Sequence, residues 1–198
     1  SKRTFIVGNT ITDVLKEYVP AANKSKILEK LKLIKKKYFL VTLHRPESVD
    51  IKKNLSSLLK TLKVLYKKYK YPIIFPIHPR TKNNMKKLNL SFDKNIKIIE
   101  PLEYLEFLKL MKDSKLILSD SGGIQEEASI LGVPCVTLRT TTERQITLLR
   151  EVNIMAGYSQ NKILKAVEEF HNKNIKKIND FGSGNVTNKI YKKLTSLI

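Results

Sequence analysis

Between Leu116 and Arg144 the chain gathers residue types that can hold a charged ligand. Ser119-Asp120-Ser121-Gly122-Gly123 is a small polar turn after the apolar run Leu116-Ile117-Leu118 and before a helix expected over 124–131. A helix start offers unpaired N–H groups and the positive end of a dipole. Two glycines let a ligand approach the backbone, and Ser121 adds a hydroxyl donor, so the turn suits phosphate. Read alone, Gly122-Gly123 is equally a connecting turn. Glu126 and Glu127 fall in the expected first turn of the helix. Either they complement the dipole, or one of them accepts hydrogen bonds from a sugar diol, as an acidic residue does in dinucleotide sites. Thr140-x-x-Glu143 has capping-box spacing and sets Arg144 at a helix start, where a guanidinium can meet an anion. His44 and His78 each follow an apolar run; a loop histidine is by default a structural hydrogen-bonder.

These residues need a scaffold. The stretch reads strand, loop, helix, strand, loop, helix, with Gly132 and Pro134 closing the first helix and 134–138 as the second strand. Both loops then leave the carboxyl edge of a parallel sheet, where open α/β folds bind ligands. Upstream, 4–8 reads as a short strand. A helix capped by Asn9-Thr10 follows, apolar at Ile11, Val14, Leu15 and Val19 and ending at Pro20. A Lys-rich helix is expected over 25–37, with Ile27, Leu28, Leu31 and Ile34 on one face. Strands are expected at 38–43, 72–77 and 95–100. Helices are expected at 51–69, where Leu55, Leu58, Leu59, Leu62, Leu65, Tyr66 and Tyr69 repeat at helical spacing, and at 83–88 and 103–111. A helix at 143–151, a strand at 153–156, a helix at 159–172, a turn at 181–185 and a helix at 187–197 complete the chain. About six strands alternating with helices specify a doubly wound, Rossmann-like parallel α/β sheet. Counted from the 38–43 strand, the order 3-2-1-4-5-6 sets the loops after Leu43 and Ser119 across one crevice.

Composition narrows the function classes. The 198 residues suffice for one domain with a full core. The net charge is +20, from 38 basic and 18 acidic residues. That would suit a polyanion, and a basic nucleic-acid-binding domain is one reading. The cations are overwhelmingly Lys spread over helix faces, whereas phosphate and base recognition favours clustered Arg, so no nucleic-acid partner is expected. The single cysteine, Cys135, cannot form an internal disulfide and reads as a small buried hydrophobe. There is no signal-peptide pattern and no run of 18 apolar residues, so the expectation is a cytoplasmic protein with no membrane partner. No His, Cys and carboxylate cluster has metal-ligand spacing, so neither a metal site nor a structural zinc is expected.

Taken together, the motifs resemble a known family. DSGGIQEEA (120–128), LGVP (131–134) and TTER (141–144) are similar to the signature of UDP-N-acetylglucosamine 2-epimerases. TLHRPES (42–48), PIHPR (76–80) and FGSGN (181–185) agree, in the family's order, over nearly the whole chain. The resemblance implies the C-terminal half of a two-domain, glycosyltransferase-B-like enzyme. On this reading 1–22 form the interdomain strand and linker helix, and 23–198 the UDP-binding domain. The N-terminal domain is then absent from the chain.

The implied reaction interconverts UDP-N-acetylglucosamine and UDP-N-acetylmannosamine by UDP elimination and re-addition, with no cofactor. The non-hydrolysing branch is the lead. The hydrolysing branch, which releases N-acetylmannosamine and UDP, and a glycosyltransferase donor domain are the nearer alternatives. The resemblance assigns Ser121, Gly122, Gly123 and Arg144 to the diphosphate and Glu127 to the ribose, with Glu126 on the solvated side. Phe107 lines the uracil, although ordinary helix packing explains it equally well. His44 acts as phosphate donor or acid, braced by an Arg45–Glu47 ion pair. His78-Pro79-Arg80 departs from the small or Asn-containing turn of many members. His171 reads as a surface residue. The carboxylates that move the carbon-2 proton belong to the absent domain, and the complete enzyme is expected to be a homodimer.

Overall fold

The computed structural model describes residues 4–173 and 175–196. In chain order its elements begin with α1 (Ile11–Asn23), α2 (Ile27–Lys30), β1 (Phe39–Thr42) and α3 (Pro46–Val49). Next come α4 (Lys52–Tyr69), β2 (Ile73–Pro76), α5 (Pro79–Lys87), β3 (Ile96–Ile99) and α6 (Tyr104–Asp113). Then follow β4 (Leu116–Ser119), α7 (Gly122–Leu131), β5 (Cys135–Thr137), α8 (Gln145–Leu149) and β6 (Asn153–Met155). The last two helices are α9 (Gln160–Asn172) and α10 (Val186–Thr195). The strands form one parallel sheet in the order β3-β2-β1-β4-β5-β6, the order expected from the sequence.

Strand alternation builds two cores. Phe39, Val41, Ile73, Phe75, Leu116 and Leu118 face α4 and α9. Leu40, Ile74, Ile117 and Cys135 face α1, α6 and α7. Because both faces are covered, the central strands are continuous apolar runs. Cys135 is fully buried, as expected, and burial pushes its thiol up to about 12. Among the described residues, no helix is long and apolar enough to cross a membrane.

Several boundaries differ from the sequence expectation. Residues 4–8 form no strand; they join no ladder, and the nearest tie is the Asn9 amide donating to the Phe181 carbonyl at 2.7 Å. Helix α1 runs through Pro20 to Asn23, because Pro20 and Lys16, whose carbonyl loses its N–H partner, both lie on the exposed side. Its packing against α6 and α7 holds the last turn in place. The Lys-rich helix over 25–37 shrinks to α2. Lys32 and Lys36 adopt left-handed conformations, and the Lys36 ammonium caps the carbonyls of Lys112 and Ser114 at 2.9 Å each, which turns the chain toward β1. Ile34 is left 65% exposed. Helix α5 starts four residues early at Pro79, whose fixed φ suits a first helical position. Helix α8 is shorter than 143–151, and the 44–48 loop runs into the short α3. The expectations for residues 1–3 and 197–198 lie outside the described residues.

The end of the chain is stitched onto α1. Gly184 has φ +76, a conformation that strains other residues, and a Cβ there would lie 2.5 Å from Lys16 Cδ and displace that side chain, so the turn favours glycine. Asp13 of α1 accepts hydrogen bonds from the amides of Val186 (2.9 Å) and Thr187 (2.7 Å), capping α10 from another element. Hydrogen bonding from Thr187, side chain and backbone, and from the Val186 amide holds its carboxyl at about 2. A depressed carboxyl contributes stability above its unfolded value of 3.8 and loses it as pH falls toward about 2. Asp13→Asn is therefore expected to speed hydrogen exchange at the Val186 and Thr187 amides severalfold at neutral pH, read by NMR. In the unmodified protein the same acceleration should appear between about pH 4 and pH 2.

Candidate nucleotide-binding site

The ends of β1 and β4 lie side by side at the carboxyl edge, and everything around the candidate site hangs from them. The Thr42 and Ser119 hydroxyls meet at 2.7 Å, and Ser119 Oγ also accepts from the Ser121 amide at 3.0 Å. Asp120 is fully buried. It accepts the Arg45 amide at 2.9 Å and the His44 amide at 3.0 Å, and its other oxygen lies 3.1 Å from His44 Nδ1. Burial raises the Asp120 carboxyl, but the bonds from His44 and Arg45 outweigh it and leave the group below its ordinary range. The loop carrying His44 is thereby tied to the loop that opens α7.

Gly122 and Gly123 are not a turn before the helix; they are its first two residues, with Ser121 as an extended N-cap. Neither needs a left-handed conformation. What they provide is open backbone: a Cβ on Gly122 would meet only the Arg144 guanidinium, at 3.9 Å, and one on Gly123 only Ser121 Oγ, at 4.0 Å. The Ser121 hydroxyl makes no cap bond, so it is free to donate beside the unpaired amides.

The second loop is fastened to α7 by a buried polar network. Gln125 Nε2 donates to the Ser121 carbonyl, and Gln125 Oε1 accepts Thr142 Oγ1 at 2.7 Å and Asn153 Nδ2 at 3.2 Å. Asn153 continues to Thr137 and Thr147, and Thr142 Oγ1 accepts the Arg144 amide at 3.1 Å. The capping box expected from Thr140 and Glu143 does not form. Glu143 turns outward to Arg139, whose hydrogen bonds hold it at about 2, and α8 begins without a side-chain cap.

Starting α7 at Gly122 moves both glutamates into the second turn. Glu126 is buried rather than solvated, because it faces Arg144 Nε at 2.6 Å. That approach is an ion pair off the hydrogen-bonding direction, which leaves Nε without an aligned acceptor. The Nη end of the guanidinium stays over the start of α7. Glu127 is half-buried and accepts the Tyr104 hydroxyl at 3.2 Å. Burial pushes its carboxyl up; the Tyr104 bond partly offsets this and the Glu126 charge adds to it.

Across the crevice, Phe107, Leu102, Pro101, Thr42, His44 and His78 line a cavity of about 180 Å³. The His44 and His78 rings lie 5.6 Å apart, and His78 Nδ1 accepts the Arg80 amide. Arg45 and Glu47 form no ion pair among the described residues; Arg45 contributes its amide to Asp120, and Arg80 pairs with Asp50 instead. His171 is not free on the surface but stacks on Tyr69 at 4.6 Å. Among the described residues, no group of three or more His, Cys, Asp or Glu is placed to hold a metal ion.

The structure thus brings Ser121, Gly122, Gly123 and Arg144 together, with Glu127 farther along α7 and His44 and Phe107 across the crevice. Sequence reasoning passed over Asp120, although a carboxylate at a strand end inside the quoted motif was a usable signal. It also passed over Gln125, Thr142 and Tyr104. Tyr104 lies 23 positions from Glu127, and no local pattern announces the contact.

Comparison with known proteins identifies the family. The family model described as UDP-N-acetylglucosamine 2-epimerase matches residues 1–195. A UDP-N-acetylglucosamine 2-epimerase of Methanocaldococcus jannaschii is 45% identical over 201 residues, covering 98% of this chain and 55% of its own. One of Methanococcus maripaludis is 47% identical over 191 residues, covering 93% and 52%. The crystal structure of the M. jannaschii UDP-GlcNAc 2-epimerase in complex with UDP-GlcNAc and UDP superposes with a TM-score of 0.90, over 97% of this chain and 54% of that one. The chain spans about half the length of the curated relatives it matches. With a family match across nearly its whole length, the chain belongs to the UDP-N-acetylglucosamine 2-epimerase family.

Proposed function

We propose that this chain is the UDP-binding half of an epimerase that interconverts UDP-N-acetylglucosamine and UDP-N-acetylmannosamine. On this reading 23–198 are the C-terminal domain of a two-domain, glycosyltransferase-B-like enzyme, and 1–22 lead in from an N-terminal domain. The observation that carries the proposal is the Arg144 guanidinium held over the Gly122 start of α7. A cation, open amides and a helix dipole converge there on one volume, the arrangement a departing diphosphate requires.

In the reaction, the carbon-2 proton is removed and the bond from carbon 1 to the diphosphate oxygen breaks, leaving 2-acetamidoglucal and UDP. UDP then adds back to carbon 1 as a proton returns to the other face of carbon 2. No electrons are gained or lost overall, so the chemistry calls for no redox cofactor. Ser121, Gly122 and Gly123 donate to the diphosphate, and Arg144 pairs with it through its Nη groups while Glu126 holds the Nε side. Glu127 accepts from the ribose hydroxyls. Phe107 lies along the uracil. His44 donates to the leaving diphosphate or protonates it, on a loop to which Arg45 contributes its amide. The carbon-2 proton is handled by carboxylates of the other half. The complete enzyme is a cytoplasmic homodimer that supplies N-acetylmannosamine derivatives for microbial polysaccharide.

Calorimetric titration with UDP, against a single-stranded oligonucleotide at two salt concentrations, tests this reading. Saturable UDP binding is expected. Arg144→Ala and Glu127→Ala should each weaken it about tenfold or more, since a hydrogen bond to a charged group contributes about 1.5–3 kcal/mol. Tight, salt-sensitive oligonucleotide binding with no response to UDP would favour the basic-domain alternative instead.

The raised Glu127 carboxyl adds a pH prediction. Only the ionised form accepts both ribose hydroxyls, so UDP affinity should fall as pH drops through a window above the ordinary carboxylate value. Glu127→Gln should flatten that dependence, and the same titration repeated from neutral to mildly acid pH reads it.

A further inference from the structure

Asp120 sits where one carboxylate meets three donors from the opposite loop. Its Oδ2 accepts both the Arg45 and His44 amides, and its Oδ1 faces His44 Nδ1 at 3.1 Å. The carboxylate is fully buried, whereas the His44 side chain is 39% exposed. Nδ1 is therefore consumed inward, and Nε2 is the ring nitrogen left for a ligand. The neighbouring titratable ring is His78, whose Nδ1 is already engaged by the Arg80 amide. We propose that Asp120 is a positioning residue that holds the proton on His44 Nδ1 and fixes the ring's orientation, so that Nε2 is the nitrogen offered to the diphosphate, to which it donates once the ring takes up a second proton. The ligand named here rests on the functional reading above; the Asp120–His44 relation rests on geometry alone.

A carboxylate only accepts, so it demands a proton on Nδ1. In Asp120→Asn the amide oxygen would stay with the two backbone amides, and the NH₂ group would face the ring. The neutral ring must then accept at Nδ1 and carry its proton on Nε2.

Long-range ¹⁵N–¹H NMR on the three histidines reads the tautomer directly. The wild type is expected to show a neutral His44 protonated on Nδ1, and Asp120→Asn should move that proton to Nε2. A ring that meets the diphosphate through Nε2–H while keeping Nδ1–H needs an acceptor at Nδ1, which Asp120→Asn withdraws, so UDP affinity should fall several-fold while uridine affinity, with no diphosphate to lose, stays level. Thr81→Val is the structural control. The Thr81 hydroxyl donates to the Leu43 carbonyl and supports the same strand end without touching the ring, so this variant should keep the wild-type tautomer. A wild-type ring protonated on Nε2, an unmoved tautomer in Asp120→Asn, or the same flip in Thr81→Val would each overturn the proposal. A wild type with the stated tautomers that ignores UDP would support the Asp120–His44 relation and count against the functional reading instead.

Discussion

The buried carboxylate of Asp120 joins the ends of the two central strands. Parallel pairing of β1 with β4 brings Thr42 beside Ser119, but the loops that leave those strands have no ladder of their own. Asp120 supplies the missing partners by accepting two amides from the His44 loop. An ionised group with no water around it is tolerated only when fully hydrogen-bonded, and here the bonds outweigh the cost of burial. The crevice therefore has one rigid wall, and residues from two distant stretches of chain are held in fixed register.

A second constraint fixes the other wall. Gln125 lies on the inner side of α7 and ties the helix start to Thr142 and Asn153. Thr142 in turn accepts the Arg144 amide. Such a network is costly when half-satisfied and rigid when complete. The Gln125 oxygen accepts twice and its nitrogen finds a carbonyl, so the Arg144 backbone is anchored to the helix whose first amides it overlooks. Glu126 then fixes the guanidinium. The helix carrying the phosphate-type amides and the loop carrying the cation are fastened directly to each other.

Much of this was legible in the sequence. Apolar runs of four to six residues separated by helical periods specified the strand order, because right-handed crossovers leave few alternatives. The strand-loop-helix rhythm around Ser121 and Arg144 specified the edge on which the site lies. The misses share a physical origin. Pro20 reads as a stop, but tertiary packing and an exposed carbonyl let α1 continue. The 25–37 stretch has the period of a helix, but the chain breaks at Lys32 and Lys36, and the Lys36 ammonium binds carbonyls distant in the sequence. Glu126 reads as solvated because its partner lies 18 positions away on another loop. Local pattern reports propensity, and these residues are decided by long-range partners.

A structure of the chain with UDP bound measures the central claim most directly, that the start of α7 and Arg144 form one anion site. The account predicts the diphosphate within hydrogen-bonding distance of the Gly122 and Gly123 amides and of the Arg144 Nη groups, with the ribose toward Glu127. A diphosphate seated elsewhere, such as the surface groove lined by Lys60, Lys63 and Lys94, would contradict it.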